Sequence, residues 1–142
     1  MLIGTILRSK GSDVATVRPE ATVRDLLVTL ATYNIGAVVV CDEGGVIAGI
    51  VSERDVVRRL NDRGADILDA PVGTIMTTEV RTCTPGDNVD GLRMTMTTHR
   101  IRHVPVVEDG TLVGIVSIGD IVKSAIEELE TEKASLVDYL HR

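Results

Sequence analysis

The chain has 142 residues, 44% of them hydrophobic and 25% charged, with a formal net charge of −6. That length can bury roughly 68–70% of the unfolded surface in one core, and the acidic balance excludes a general nucleic-acid binder, which needs a basic face to replace phosphate counterions. Tyr33 and Tyr139 are the only aromatic residues, so valine, isoleucine and leucine must build the core and hold any ring-shaped ligand between aliphatic side chains.

Taken in chain order, the first expected element is a short strand over residues 14–17, ended by Pro19. Thr22, with Asp25 three residues later, has the form of a capping box at the start of a helix. Val23, Leu26, Leu27, Leu30 and Ala31 fall on one face of that helix, and Asn34 and Gly36 suit its end. Residues 37–41 form a β-branched run with little alternation, which predicts a strand covered on both faces. Asp42-Glu43-Gly44-Gly45 supplies turn chemistry, and residues 46–52 return as the second strand of a hairpin. A helix over residues 54–60 is expected to bury Val56, Val57 and Leu60, and a polar segment, 61–71, leads onward. Further along come a strand over 80–83, a helix over 88–98, a strand over 104–107, a turn at Glu108-Asp109-Gly110 and a strand over 111–117. The final helix is expected over 120–140, about 31 Å long at 1.5 Å per residue.

The second half repeats the first. Gly49 opens GIVSERDVV and Gly114 opens GIVSIGDIV; Pro19 matches Pro85, Val23 matches Val89, Leu26 matches Leu92 and Leu30 matches Met96. Gly4-Thr5-Ile6 matches Gly73-Thr74-Ile75, and the alignment needs only an insertion near Ser9 to Gly11 and an extra glycine at Gly44-Gly45. Two copies of one β-α-β-β-α unit must therefore pack together, with any ligand site expected in duplicate.

No G-x-S-x-G elbow, G-x-G-x-x-G turn or Walker A sequence is present, and no catalytic constellation stands out, so no enzyme activity is expected. His99 and His103 have the spacing of helical zinc ligands but straddle a helix-to-strand boundary without a third ligand, so no metal site is expected. Cys41 and Cys83 read as reduced, buried thiols. Without a signal-peptide pattern or a membrane-length apolar run, the expected location is cytoplasmic, with no membrane or nucleic-acid partner.

The recurring chemistry is G-I-V-S-x-x-D, in which a buried strand ends and a helix begins. Ser52 with Asp55 and Ser117 with Asp120 allow two readings. Either residue could cap a helix, where an acidic group also suits the dipole. Alternatively, free N–H groups and a hydroxyl would favour phosphate while the carboxylate accepts from ribose hydroxyls. Capping explains one residue of each pair; it leaves the fixed spacing of both, and the glycine that opens each strand, to the second reading.

The two copies resemble a tandem pair of CBS (cystathionine-β-synthase) motifs. The resemblance rests on Gly49-Ile50-Val51-Ser52 with Asp55, Gly114-Ile115-Val116-Ser117 with Asp120, the run His103-Val104-Pro105-Val106-Val107, and Ile75-Met76-Thr77 before the second copy. It implies an α+β fold: two tandem β-α-β-β-α CBS motifs, over residues 1–66 and 67–126, packed with pseudo-twofold symmetry, plus a C-terminal helical extension over 127–142. It also implies a non-catalytic regulatory module of stand-alone type that binds AMP, ADP, ATP, S-adenosylmethionine or NAD(H) in clefts between the motifs and so alters association with a regulated protein, as in energy sensing. The alternative is a ligand-free structural or interaction protein of the same fold. By resemblance, the aspartate holds the ribose and the serine reaches toward phosphate. One cleft would combine Thr74, Thr78, Ile101, Arg102 and His103 with Ser117 and Asp120; the other would combine Thr5, Ser12, Ile35, Gly36 and Ala37 with Ser52 and Asp55. The residue before the aspartate, often Ser or Thr in nucleotide-binding members, is Arg54 in one copy and Gly119 in the other; Arg54 is a candidate phosphate contact. Arg100, Arg102 and His103 give the second copy a positive cluster that the first lacks, and anionic phosphates favour that side. A homodimer is expected as well. Leu129, Leu136, Val137 and Leu140 form an apolar stripe beyond the repeat, which either joins a second copy or folds back on the chain's own first helix.

Overall fold

A computed structural model describes residues 1–142 and shows two copies of one unit packed around a local twofold. The first copy contains α1 (Ile3–Lys10), β1 (Thr16–Val17), α2 (Val23–Tyr33), β2 (Ala37–Cys41), β3 (Ile47–Ser52) and α3 (Glu53–Arg63). Two 3-10 turns, Ala65–Asp69 and Val72–Thr74, lead to α4 (Val89–His99), β4 (His103–Glu108), β5 (Thr111–Ser117) and α5 (Ile118–Leu140).

Each copy is built on an antiparallel hairpin. β2 pairs with β3 and β4 with β5, and both pairings carry an irregularity at equivalent places, Val40/Cys41 and Val106/Val107. β1 adds a parallel strand to the first hairpin, with Val17 opposite Val40. The expected strand over residues 80–83 shrinks in the second copy to one parallel bridge, Cys83 to Val106. β2 is buried at all five positions, as a strand covered on both faces must be. Thr22 and Asp25 form a reciprocal capping box at the start of α2, and Asn34 ends that helix in a left-handed conformation.

The chief departure from expectation is the packing of the leading segments. Residues 1–10, expected without a helix, form α1, and α1 belongs to the other copy's core. Ile3, Ile6 and Leu7 pack with Val89, Leu92, Met96, Val104, Val106, Val116 and Ile121. Reciprocally, Ile67, Val72 and Ile75 pack with Val23, Leu26, Leu30, Val38, Val40, Val51 and Val56. The backbone repeats the exchange: Gly4 N–H donates to the Pro85 carbonyl at 2.9 Å, and Gly73 N–H donates to the Pro19 carbonyl at 2.9 Å. The segment 61–71, read as a polar joint, is therefore partly core: α3 runs on to Arg63, and Ile67 is fully buried.

The exchange explains the glycine that opens each G-I-V-S run. A Cβ on Gly49 would lie 2.7 Å from both Met76 Sδ and the Thr77 carbonyl oxygen, and a Cβ on Gly114 would lie 2.6 Å from Leu7 Cδ2. Glycine marks the close approach of the partner copy's leading segment, a packing cause rather than a ligand-binding one.

Other faces were misread. Only Val56 of α3 is buried; Val57 is 64% exposed and Leu60 36%. On α2, Leu27 and Ala31 turn outward. α5 begins at Ile118 and would be about 34 Å long at 1.5 Å per residue. Residues 126–142 are all exposed, which rules out folding back onto the chain's own first helix. Cys41 and Cys83 are buried free thiols, and burial, then the charge of Asp87, pushes Cys83 up to about 11. No helix is long and apolar enough to cross a membrane.

Gly49→Ala should destabilise the protein by about 1–3 kcal/mol, the usual range for overpacking, because the backbone of Thr77 blocks the new methyl. Gly114→Ala should cost less, because the obstacle is the end of the Leu7 side chain. Urea denaturation of both variants measures the difference, and an equal or inverted order would disprove the backbone-contact explanation.

Candidate functional site

The two G-I-V-S-x-x-D turns sit at equivalent ends of the hairpins. In the first, Asp55 N–H donates to Ser52 Oγ at 3.3 Å, Ser52 N–H donates to Asp55 Oδ2 at 2.8 Å, and Ser52 Oγ–H donates to the same oxygen at 3.1 Å. In the second, Asp120 N–H donates to Ser117 Oγ at 3.1 Å and Ser117 N–H to Asp120 Oδ2 at 2.9 Å. Both are complete capping boxes. Capping thus accounts for both residues and for their spacing, because the N-cap hydroxyl and the N3 carboxylate satisfy each other's backbone donors. Both members of each pair, and not one, are explained by capping. In each turn the Oδ1 oxygen makes no hydrogen bond within the chain, so each carboxylate keeps acceptor capacity on one side.

The starts of β2 and β4 adjoin these turns. Ala37 is opposite Ser52 and His103 opposite Ser117, while Glu53 N–H donates to the Gly36 carbonyl and Ile118 N–H to that of Arg102, at 2.9 and 2.8 Å. Ile35, Gly36 and Ala37 thus lie with Ser52 and Asp55, and Ile101, Arg102 and His103 with Ser117 and Asp120, as expected. The leading segments do not follow their own copies. Thr77 exchanges two backbone hydrogen bonds with Ile50, both 2.9 Å, beside the Asp55 turn. α1 lies along β5, beside the Asp120 turn. The segment holding Thr74 and Thr78 thus pairs with β3, and the helix holding Thr5 lies along β5, so neither segment stays with its own copy as the sequence grouping expected; no hydrogen bond joins Thr5, Thr74 or Thr78 to either Ser-x-x-Asp pair. Thr74 spends its hydroxyl on the Pro71 carbonyl at 2.7 Å, and Thr5 Oγ1 accepts from Arg8 at 3.2 Å. Ser12, Thr78, Arg54 and Arg102 are exposed.

Sequence reasoning missed two residues. Lys10 Nζ lies 2.7 Å from Asp120 Oδ2 and donates to the Ile115 carbonyl at 2.8 Å. Its signal was present in the insertion at Ser9 to Gly11, the longer of the two places where the first copy carries residues without counterparts. Glu53 is the second: its Oε1 stands 3.3 Å, and His103 Cε1 3.8 Å, from the place a Cβ on Gly36 would occupy, so the two copies meet there. Asp55 has no ion pair. His99 Nδ1 lies 3.4 Å from the Arg81 guanidinium, and no group of His, Cys, Asp and Glu side chains is arranged to hold a metal ion.

Charge at this junction is balanced. Burial alone would raise the Asp120 carboxyl, but hydrogen bonds from Lys10 and from Ser117, with the Lys10 charge, bring it below its ordinary range. Burial, then the Lys10 charge, lowers His103 from its ordinary 6.5, against the opposing pull of Asp120 and Glu53. A histidine lowered on folding binds its proton more tightly in the unfolded chain. Its contribution to stability is therefore present above the unfolded value and lost as pH falls through the folded one. Thermal stability should decline as pH falls below the ordinary 6.5 of the unfolded histidine, and His103→Gln should flatten that decline; an unchanged slope in the variant would assign the decline to another group.

With this geometry in view, the family relationship is informative. A family model described as "CBS domain" matches twice, over residues 4–62 and 72–127. The mitochondrial CBS domain-containing protein CBSX3 of Arabidopsis thaliana is 35% identical over 97% of this chain and 71% of its own length. The crystal structure of the CBS-domain containing protein ATU1752 from Agrobacterium tumefaciens superposes with a TM-score of 0.85 at 44% identity, covering 87% of this chain and 92% of that one. The CBS domain pair of protein MJ0100, solved in complex with 5-methylthioadenosine and S-adenosyl-L-methionine, superposes with a TM-score of 0.80 at 26% identity, covering 90% of this chain and 98% of its own. Two matched motifs, arranged about a local twofold as in those structures, make this chain a member of the CBS-domain family.

Proposed function

We propose that the protein is a non-catalytic regulatory module that binds adenosine-containing ligands at its two Ser-x-x-Asp turns. The observation that carries this reading is the duplicated carboxylate, Asp55 and Asp120, each held by its own capping box with Oδ1 unused. A vicinal diol donates two hydrogen bonds and fits such an acceptor. The neighbouring MJ0100 pair, which holds 5-methylthioadenosine and S-adenosyl-L-methionine, supports the ligand class. The aliphatic surroundings suit an adenine: Ile35 and Ala37 flank one turn and Ile101 the other. AMP, ADP, ATP, S-adenosylmethionine and NAD(H) are the candidates, and Arg54 and Arg102, both exposed, are candidate phosphate contacts. A ligand-free interaction role has its own supporting observation, since capping alone accounts for Ser52, Asp55, Ser117 and Asp120.

A thermal-shift series separates the two readings. A ligand at one hundred times its dissociation constant adds about 2.7 kcal/mol, a rise of roughly 5–10 °C for a domain of this size. Asp55→Ala should lower the unliganded melting temperature slightly, through the weakened cap, and remove the ligand-induced rise at that turn. Equal shifts in parent and variant would refute a binding role for Asp55.

The regulated output is proposed to be assembly through α5. Val122, Ile126, Leu129, Leu136, Val137 and Leu140 are 44–70% exposed on one helix, and grooves of about 560 and 520 Å³ run along it. Covering such a stripe gains about 25 cal/mol per Å² of apolar surface, and a second copy presents the same stripe for isologous pairing. Light scattering should give a dimer for the full chain and a monomer for a truncation after Glu128. A truncated chain that dimerises as tightly as its parent would move the interface elsewhere.

A further inference from the structure

The two carboxylates do not stand in the same electrostatic setting. At the first turn, the carbonyl of Ile50 accepts from the backbone N–H of Thr77 at 2.9 Å. At the second, the equivalent carbonyl, on Ile115, accepts from the Lys10 ammonium at 2.8 Å, and the same ammonium lies 2.7 Å from Asp120 Oδ2. The insertion at Ser9 to Gly11 has thus replaced a neutral backbone donor with a mobile cation on a flexible stem. Asp120 Oδ2 already accepts from Ser117 N–H at 2.9 Å, so Lys10 completes that oxygen's coordination. The ion pair is only partly shielded, with Lys10 33% and Asp120 21% exposed.

A ribose that engages both oxygens of Asp120 must displace the ammonium. Displacement strands a cation unless the ligand brings an anion for it. A neutral nucleoside brings none, and a sulfonium-bearing ligand adds a second positive charge. A 5′-phosphate provides three acceptor oxygens, and ammonium–phosphate hydrogen bonds are roughly twice as strong as neutral ones. Asp55 imposes no such requirement.

The geometry points to Lys10 as the residue that makes the two sites unequal, restricting the Asp120 turn to adenosine ligands that carry phosphate and leaving the Asp55 turn open to neutral ones. This assignment rests on the adenosine-binding reading above and adds a division of labour between the turns.

The test isolates the second turn by working in Asp55→Ala protein and titrating AMP and adenosine by calorimetry, with and without Lys10→Met. AMP should bind at least about tenfold more tightly than adenosine when Lys10 is present, the equivalent of one charge-assisted hydrogen bond. Lys10→Met should erase most of that preference, weakening AMP and strengthening adenosine, and Lys10→Arg should keep it. Rising salt should narrow the preference in the parent more than in the methionine variant. An AMP-to-adenosine ratio unchanged by Lys10→Met, in a protein whose AMP binding is still lost on Asp120→Ala, would overturn the role of Lys10 while leaving the adenosine site standing. No binding of either ligand to the parent chain at millimolar concentration would overturn both.

Discussion

The exchange of leading segments is the constraint on which the rest of this structure depends. Neither hairpin has a complete core of its own. The first borrows Val72 and Ile75 from the segment that opens the second copy, and the second borrows Ile3, Ile6 and Leu7 from the start of the chain. The borrowed segments are pinned by equivalent backbone bonds, Gly4 to Pro85 and Gly73 to Pro19. The second core cannot close without the start of the chain, and the first is closed by the segment that opens the second copy, so a lone repeat would leave its apolar seat open to water at about 25 cal/mol per Å². The same exchange carries Lys10 to the Asp120 turn and Thr77 to the Asp55 turn.

At each Ser-x-x-Asp turn a structural motif is already in place on which the proposed binding role would rest. The capping box ties the carboxylate to the serine N–H and the aspartate's own N–H to the serine hydroxyl, so the residue is pre-oriented before any ligand arrives, and pre-organisation lowers the cost of association. Only one oxygen of each carboxylate is needed for the cap. The other oxygen is left free for the proposed ligand, and residue types alone could not separate capping from a binding role.

What the sequence made legible followed from local periodicity and duplication. The capping box at Thr22, the left-handed stop at Asn34, the buried run of β2 and the length of α5 all depend on interactions within a few residues. What remained hidden depended on distant parts of the chain. Val57 and Leu60 lie on a helical face that local pattern assigns to the core, but α3 packs inward only through Val56. Helix α1 stays unrecognised because its apolar residues serve a core that begins some eighty positions later. The segments that hold Thr5 and Thr74 pack in the opposite copies for the same reason: intramotif proximity is a sound default, and segment exchange overrides it. Lys10 was visible only as a gap in an alignment of the chain with itself.

Duplication followed by divergence has left the junction between copies asymmetric in charge. Glu53 faces the junction from the first copy and His103 from the second, with Ile118 and Ala37 at the equivalent positions. Lys10 adds a cation on one side only. Asp120 is the third residue of α5, the helix whose distal half carries the exposed apolar stripe. An adenosine ligand that displaced Lys10 would change the charge at the root of that helix and loosen the hold of α1 on β5 together. Such a change alters assembly only to the extent that the ligand prefers one arrangement of α1 and α5 over another, because a ligand with equal affinity for two states shifts nothing. Under the proposal for Lys10, an ion pair that is present without ligand and broken with it would supply that preference.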